Sequence, residues 1–170
     1  MWAWAFPDPV ARPAQYDTWW RFWIEGALPH RWVWTADECA TTSVWLPPGA
    51  PEIPPEDEPR LAPLLTELLG ERRDVLLEAF DSFEAAHPRN DPHYYLSLVG
   101  TRSDARGRGI GTELLSMNLT RIDDEHGAAY LESTNPANLD RYERLGFRLC
   151  GRFTLPDDGP TVTTMWRGAR

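Results

Sequence analysis

The run from His93 to Gly127 constrains this chain more than any other stretch. Tyr94–Val99 is a short apolar and aromatic segment, the composition of a buried strand. From Ile110 the rhythm changes: Ile110, Leu114, Leu115, Leu119 and Ile122 recur at helical spacing, with Met117 at the margin of the same face. Gly127 is placed to stop that helix. Between strand and helix stands Arg106-Gly107-Arg108-Gly109-Ile110-Gly111. Glycines let successive N–H groups turn toward one point, and they let a bulky anion approach without meeting a Cβ. A helix start adds unpaired donors and the positive end of its dipole, and Arg106 and Arg108 add formal charge. The turn therefore predicts a pocket for a phosphate or pyrophosphate. On the hexapeptide alone, a plain strand–helix turn with surface arginines fits as well.

Two common phosphate motifs are absent. No Gly-Lys-Ser or Gly-Lys-Thr ends the turn, and Leu114 stands where a dinucleotide fingerprint wants its third glycine. A second constellation lies downstream. Tyr130–Thr134 reads as a strand, and Asn138–Phe147 as a short helix with Asn138 as N-cap and Gly146 just past its end.

Arg106, Gly109 and Gly111 resemble the Arg/Gln-x-x-Gly-x-Gly/Ala signature of the GNAT superfamily of N-acetyltransferases. Asn138…Tyr142-Glu143-Arg144-Leu145-Gly146-Phe147 resembles that family's Asn…Tyr-Glu-x-x-Gly-Phe segment. The resemblance runs over residues 93–167 and is nearest to the puromycin N-acetyltransferase type. It implies a mixed α/β fold: a central, mostly antiparallel sheet of about six strands flanked by helices. It also implies acetyl-CoA as co-substrate, with no metal. Leu98, Val99, Gly100 and Thr101 would offer backbone groups to the pantetheine arm and thioester, on a strand that splays from its neighbour. Arg106, Gly107, Arg108, Gly109, Ile110, Gly111 and Thr112 would hold the pyrophosphate, and Asn138 would touch the pantetheine. Tyr142 would protonate the departing thiolate. Its own spacing with Leu139 and Leu145 also makes it a packing residue. Glu132, at the end of the strand facing the central one, is the best local carboxylate to take the amine's proton, and a solvated strand end fits it equally.

The rest of the chain supports one domain over 1–170, long enough for a real core. The net charge of −9 argues against nucleic acid and for a cationic acceptor, a small-molecule amine. No apolar run suits a membrane span and no signal-peptide pattern opens the chain, and Cys39 and Cys150 read as free thiols of a cytoplasmic protein. Eight of the nine tryptophans lie at or before Trp45. Ala14–Gly26 is expected to be a helix whose Tyr16, Trp19, Trp20, Trp23 and Ile24 face the core or wall the acceptor site. Arg31–Thr35 and Thr42–Leu46 are expected to form a hairpin, and Leu61–Leu69 and Val75–Phe83 carry helical stripes, with Gly70 either separating two helices or bending one. Pro47–Pro59, acidic and proline-rich, reads as a solvated linker in preference to a lid. His87 and His93 read as ordinary loop histidines. Phe147–Thr154 and Thr161–Trp166 form a last hairpin, with Gly168–Arg170 frayed. Against the family pattern the chain starts late, without the first strand and helix, and the sheet edge so exposed would suit a homodimer.

Two rivals remain at this level. One is a non-catalytic acyl-CoA-binding sensor on the same fold. The other is a nucleotide-binding regulatory module using the same glycine turn.

Overall fold

The computed structural model describes all of Met1–Arg170. Six strands make one sheet: β1 (Val33–Ala36), β2 (Thr41–Leu46), β3 (His93–Thr101), β4 (Ala128–Ser133), β5 (Arg148–Thr154) and β6 (Thr161–Arg167). Their spatial order is β1-β2-β3-β4-β6-β5, and every pairing is antiparallel except β3 with β4. The expected mixed sheet of six strands is therefore present. Six α-helices accompany it: α1 (Trp2–Ala5), α2 (Arg12–Ala27), α3 (Glu58–Leu69), α4 (Arg73–Ala86), α5 (Ile110–Asp124) and α6 (Leu139–Arg144). None of them is long and apolar enough to cross a membrane.

The two faces of the sheet bury separate cores. On one, Leu115, Leu119 and Ile122 of α5 meet Trp45, Leu96, Leu131 and Met165 from four strands, with Tyr142 and Phe147 closing the side. Inside this apolar contact lies one polar lock. Asn118 is buried, and its Oδ1 accepts Ser43 Oγ–H at 2.7 Å and Trp45 Nε1–H at 3.1 Å. A buried amide oxygen needs such partners, so the lock fixes how α5 lies along β2. The hydrophobic rhythm gives no hint of it. Met117, at the margin of the helical stripe, is exposed.

The other core joins α1, α2, α3 and α4 to β5 and β6. Trp19 is fully buried and stacks on Phe80 at 6.0 Å and 12°. Trp2 packs on Trp20 edge to face at 4.6 Å, so the N-terminal aromatics belong to the core. Gly70, at φ 57°, separates α3 from α4 through a single turn of 3-10 helix, so it divides two helices and does not bend one.

Two helix ends differ from expectation. The left-handed position after α5 is taken by His126, at φ 51°, and not by Gly127. Gly127 serves close packing instead, because a Cβ there would stand 3.0 Å from both Ile122 and Tyr94. Asn138 precedes α6 but its side chain caps nothing. The cap is Asn135, whose Oδ1 accepts the Ala137 N–H at 3.1 Å in the short 3-10 turn Pro136–Asn138. The C-terminal residues are tied down, because the Arg170 carbonyl accepts from His126 Nδ1 at 2.9 Å.

Candidate active site

Strands β3 and β4 pair over only four residues, His93–Leu96 against Ala128–Leu131. Beyond Leu96 they part, and the end of β3 keeps hydrogen bonds to β2 alone. The parting coincides with a bulge. Val44 faces Leu98 and Trp45 faces Leu96, which leaves Ser97 as an extra residue on β3. A bulge bends its strand and sharpens its twist, which turns the rest of β3 away from β4. Leu98, Val99, Gly100 and Thr101 thus line an opening, with backbone groups on the β4 side that no strand satisfies.

The glycine turn follows directly. Gly107 and Gly109 have φ of 81° and 83°, conformations that suit glycine, and nothing stands within 4 Å of where a Cβ would be. Gly111 is different. Its Cβ would lie 2.9 Å from Thr101 Oγ1, so its lack of a side chain lets α5 start hard against β3. The N–H groups of Gly107, Arg108, Gly109, Ile110 and Gly111 have no acceptor in the protein. Thr112 is committed: its N–H bonds the Gly109 carbonyl at 2.9 Å. Five open donors at the start of a fifteen-residue helix form an anion cradle. Arg106 is exposed beside it, its Nε donating to the Thr101 carbonyl at 3.2 Å. Arg108 is partly spent, because it pairs with Asp37 of the β1–β2 turn at 2.9 Å. These features fit a diphosphate carried on a long, amide-rich arm.

The opening leads into a cavity of about 1230 Å³. Its walls include Leu98, Val99, Glu132, Asn138 and Tyr142, whereas Gly100, Thr101 and the turn from Arg106 to Thr112 lie outside that wall. Tyr142 is buried, packs on Phe147 at 6.1 Å, and its hydroxyl makes no hydrogen bond with the protein. The end of α6 holds it there. The Phe147 N–H bonds the Tyr142 carbonyl at 3.0 Å and the Gly146 N–H bonds the Glu143 carbonyl at 2.9 Å, with Gly146 at φ 96°. Burial raises the Tyr142 phenol above its ordinary value, so it keeps its proton at neutral pH.

Glu132 is not a solvated strand end. Its side chain is 2% exposed. Oε2 accepts from Tyr95 at 2.7 Å and Oε1 from Tyr130 at 2.9 Å. Burial pushes its carboxyl up to about 7, against the pull of those two hydroxyls. The histidines are also more than loop residues. His93 opens β3 and is buried, and its Nδ1 faces the Asp91 carbonyl at 2.7 Å. A carbonyl only accepts, so the Nδ1 must carry the proton, and in the neutral ring Nε2 accepts from His87 Nε2–H at 3.1 Å. That leaves the lone pair of His87 Nδ1 toward Glu132 Oε1, 3.9 Å away. Burial, then His93, lowers His87 to about 4, so it stays neutral.

The loop from Pro47 to Asp57 corrects the sequence reading most. It is seated on the protein and is no solvated linker. Pro54 is buried in a niche left by Gly26, where a Cβ would come within 3.0 Å of it. Ile53 packs on the α2–α4 core. Glu52 turns inward, and its Oε1 accepts from the bulge residue Ser97 at 2.7 Å. Trp23 Nε1 donates to the same Ser97 oxygen at 3.0 Å. Burial pushes Glu52 up to about 7 as well. Trp20, Trp23 and Phe80 line the cavity beside it, so the α2 aromatics serve both core and wall. Composition hides Glu52, because four acidic residues among prolines look alike in sequence. Only the packing of Pro54 and Ile53 singles it out.

The parted strands, the glycine cradle and the split six-stranded sheet are those of a GNAT fold. The family model for the acetyltransferase (GNAT) family matches residues 76–147, which span α4, β3, the cradle, α5, β4 and α6. Among solved structures, one described as histone acetyltransferase HPA2 and related acetyltransferase, from Corynebacterium glutamicum, is 27% identical. The match covers 97% of this chain and 80% of that one, with a TM-score of 0.65. A polyamine N-acetyltransferase of Drosophila melanogaster, which forms N-acetylagmatine, shares the fold at 17% identity. That match covers 87% of this chain and 79% of that one, with a TM-score of 0.58. An agmatine N-acetyltransferase in its apo form superposes equally well, again at 17% identity and a TM-score of 0.58, over 87% of this chain and 80% of that one.

Proposed function

We propose that this protein transfers an acetyl group from acetyl-CoA to the amine of a small molecule. The observation that carries the reading is the cradle of five unpaired N–H groups opening onto parted strands, with Tyr142 and Glu132 on the wall of the cavity behind. Gly107 to Gly111 and Arg106 would hold the diphosphate, the open edge of Leu98–Thr101 the pantetheine, and Asn138 the end of that arm. Acetyl-CoA supplies an activated acyl carbon.

The chain's own groups manage the protons. The amine nitrogen forms a bond to the thioester carbon, and the carbon–sulfur bond breaks. Glu132 takes the proton that the nitrogen sheds, with one carboxylate oxygen turned from its tyrosine. Tyr142 gives its phenolic proton to the departing sulfur. The unpaired amides of β3 beyond Ser97 lie where the thioester oxygen gains charge. Acid and base are then restored by exchange with solvent, and the sum is one amide and one thiol.

The acidic charge of the chain and the inward-turned carboxylates of Glu52 and Glu132 favour a cationic acceptor, and two of the fold relatives act on agmatine or polyamines. The run Tyr130–Thr134 with Tyr142–Phe147 keeps the puromycin type as the subfamily reading. The same reading takes residues 1–170 as one catalytic domain in the cytoplasm, with the four-residue edge strand β1 open to a second copy. The test is thiol release from acetyl-CoA over a panel of amines. Turnover supports the enzyme. Tight CoA binding without turnover on any amine would replace it with a sensor, and binding of ATP or NAD without CoA would replace both.

A further inference from the structure

Of the six acidic residues on the cavity wall, Glu52 and Glu132 turn inward and raise a question of charge. Carboxylates taken out of water need a positive partner or they lose their charge. Glu132, 2% exposed, has two hydroxyl partners and no cation. Glu52 has one hydroxyl partner, Ser97, and its other oxygen bonds nothing in the protein. The remaining charged groups of the wall do not supply the deficit. Arg89 is paired with Glu84, and His87 is neutral. The Met1 amino group borders the cavity and forms no salt bridge, so it neutralises neither glutamate. The cavity therefore carries more acid than it can neutralise from within.

The two carboxylates also sit in different settings. Glu132 belongs to β4, at the parting of the strands, between the hydroxyls of Tyr95 and Tyr130. Glu52 comes from the loop after β2 and bonds Ser97, two residues along β3 from the Tyr95 that bonds Glu132. It is pinned by the Trp23–Ser97 hydrogen-bond chain; Phe80 packs on Trp23 at 5.9 Å, and Trp20 lines the same cavity. An aromatic wall with one carboxylate is the environment that holds an organic cation, through ring faces and one charged hydrogen bond. Pinning matters here. Ser97 and the packing of Pro54 and Ile53 fix the carboxylate before any ligand arrives, so little ordering is left for binding to oppose.

We propose that Glu52 is the acceptor-recognition residue of this site, holding a second cationic group of the acceptor while the first amine is presented at Glu132. The preferred substrates are thus amines that carry two positive charges, of the α,ω-diamine class. The inference rests on the acetyltransferase reading above. It adds to that reading a residue, a loop and a charge requirement.

The experiment measures kcat/KM of the full chain with acetyl-CoA for a series of α,ω-diaminoalkanes, each against the monoamine of equal carbon count. The wild type is expected to prefer at least one diamine over its matched monoamine by roughly tenfold or more, the usual effect of one charged hydrogen bond. Glu52→Gln keeps the shape and removes the charge. It should erase that preference through KM for the diamine, leave the monoamine within about twofold, and leave CoA affinity unchanged. Ser97→Ala, which frees the carboxylate without removing it, should give an intermediate loss. Equal rates on diamines and monoamines in the wild type would overturn the inference and leave the acetyltransferase reading standing. An equal fall on both classes in Glu52→Gln would also overturn it, since Glu52 would then serve the chemistry and not the recognition. Turnover on no amine at all would remove the enzyme reading, and this inference with it.

Discussion

Replacing Glu132 by Gln should disable the enzyme and, in alkaline solution, stabilise the protein. The carboxyl is ordinarily near 4.5 and stands at about 7 in the fold, chiefly because burial disfavours its charged form. Between those values the folded state holds a proton that the unfolded chain has lost. Stability therefore falls as pH rises through this window and is lowest above it. The gap of about 2.5 pH units, at ~1.4 kcal/mol each, sets the cost of the buried charge at about 3 kcal/mol above pH 7. Glutamine avoids that cost but can accept from only one of the two tyrosines. Tyr130 has a second acceptor within reach, the Ala86 carbonyl at 3.3 Å, so the lost bond costs about 1 kcal/mol. The net expectation is a gain of about 2 kcal/mol near pH 9 and a loss of about 1 kcal/mol near pH 4, where Glu132 is protonated in both states. Denaturant unfolding of both proteins at the two pH values measures it. Glu52 titrates in the same window, and losing the Glu132 charge eases its own ionisation, which adds to the gain at high pH. A difference between them that does not change with pH would refute the argument, because the carboxyl would then not hold its proton to neutral pH.

Further outcomes follow from the same geometry. Tyr142→Phe should lower kcat by roughly a hundredfold or more with CoA affinity unchanged, and should cost little stability, because the hydroxyl has no partner in the protein. A kcat within about twofold of wild type would make Tyr142 a packing residue only. Arg106→Ala should weaken CoA binding about tenfold by calorimetry, as expected for the loss of one guanidinium–phosphate contact, and an unchanged affinity would contradict its role. Gly111→Ala gains about 1 kcal/mol of helix propensity but drives a methyl to 2.9 Å from Thr101 Oγ1, so a net loss of about 1–2 kcal/mol is expected. Thr101→Ala in the same chain should recover most of it, and failure to do so would place the strain elsewhere.

The parts of this structure written in local chemistry are legible in the sequence. The glycine turn, the α5 stripe, the leucine helices and the hairpins each follow from periodicity or from turn residues within a short window. Tyr142 and Glu132 are reached through resemblance and strand position, and the fold brings both to one cavity. What stays hidden depends on partners far apart in the chain. Asn118 looks like a surface residue until Ser43 and Trp45 are seen to bond it from β2. Glu52 is one acid among several until Ser97, forty-five positions on, is found against it. The histidine pair is set by the meeting of the end of α4 with the start of β3. Asn138 suits a helix cap by residue type and position. Asn135 does that work three residues earlier, since Pro136 starts the turn there.

The strands that part after Leu96 divide the sheet into two leaves, β1-β2-β3 and β4-β6-β5, stitched along four residue pairs. Such a seam has half its stitches missing, and a guest lying in it with its own amides would complete the row. Within β3, the amides beyond Ser97 that face away from β2 should accordingly exchange fast in the free protein and slow once CoA is added, while His93–Leu96 stay protected throughout. The cofactor would then act as mortar as well as donor, and each release of product would loosen the two leaves again.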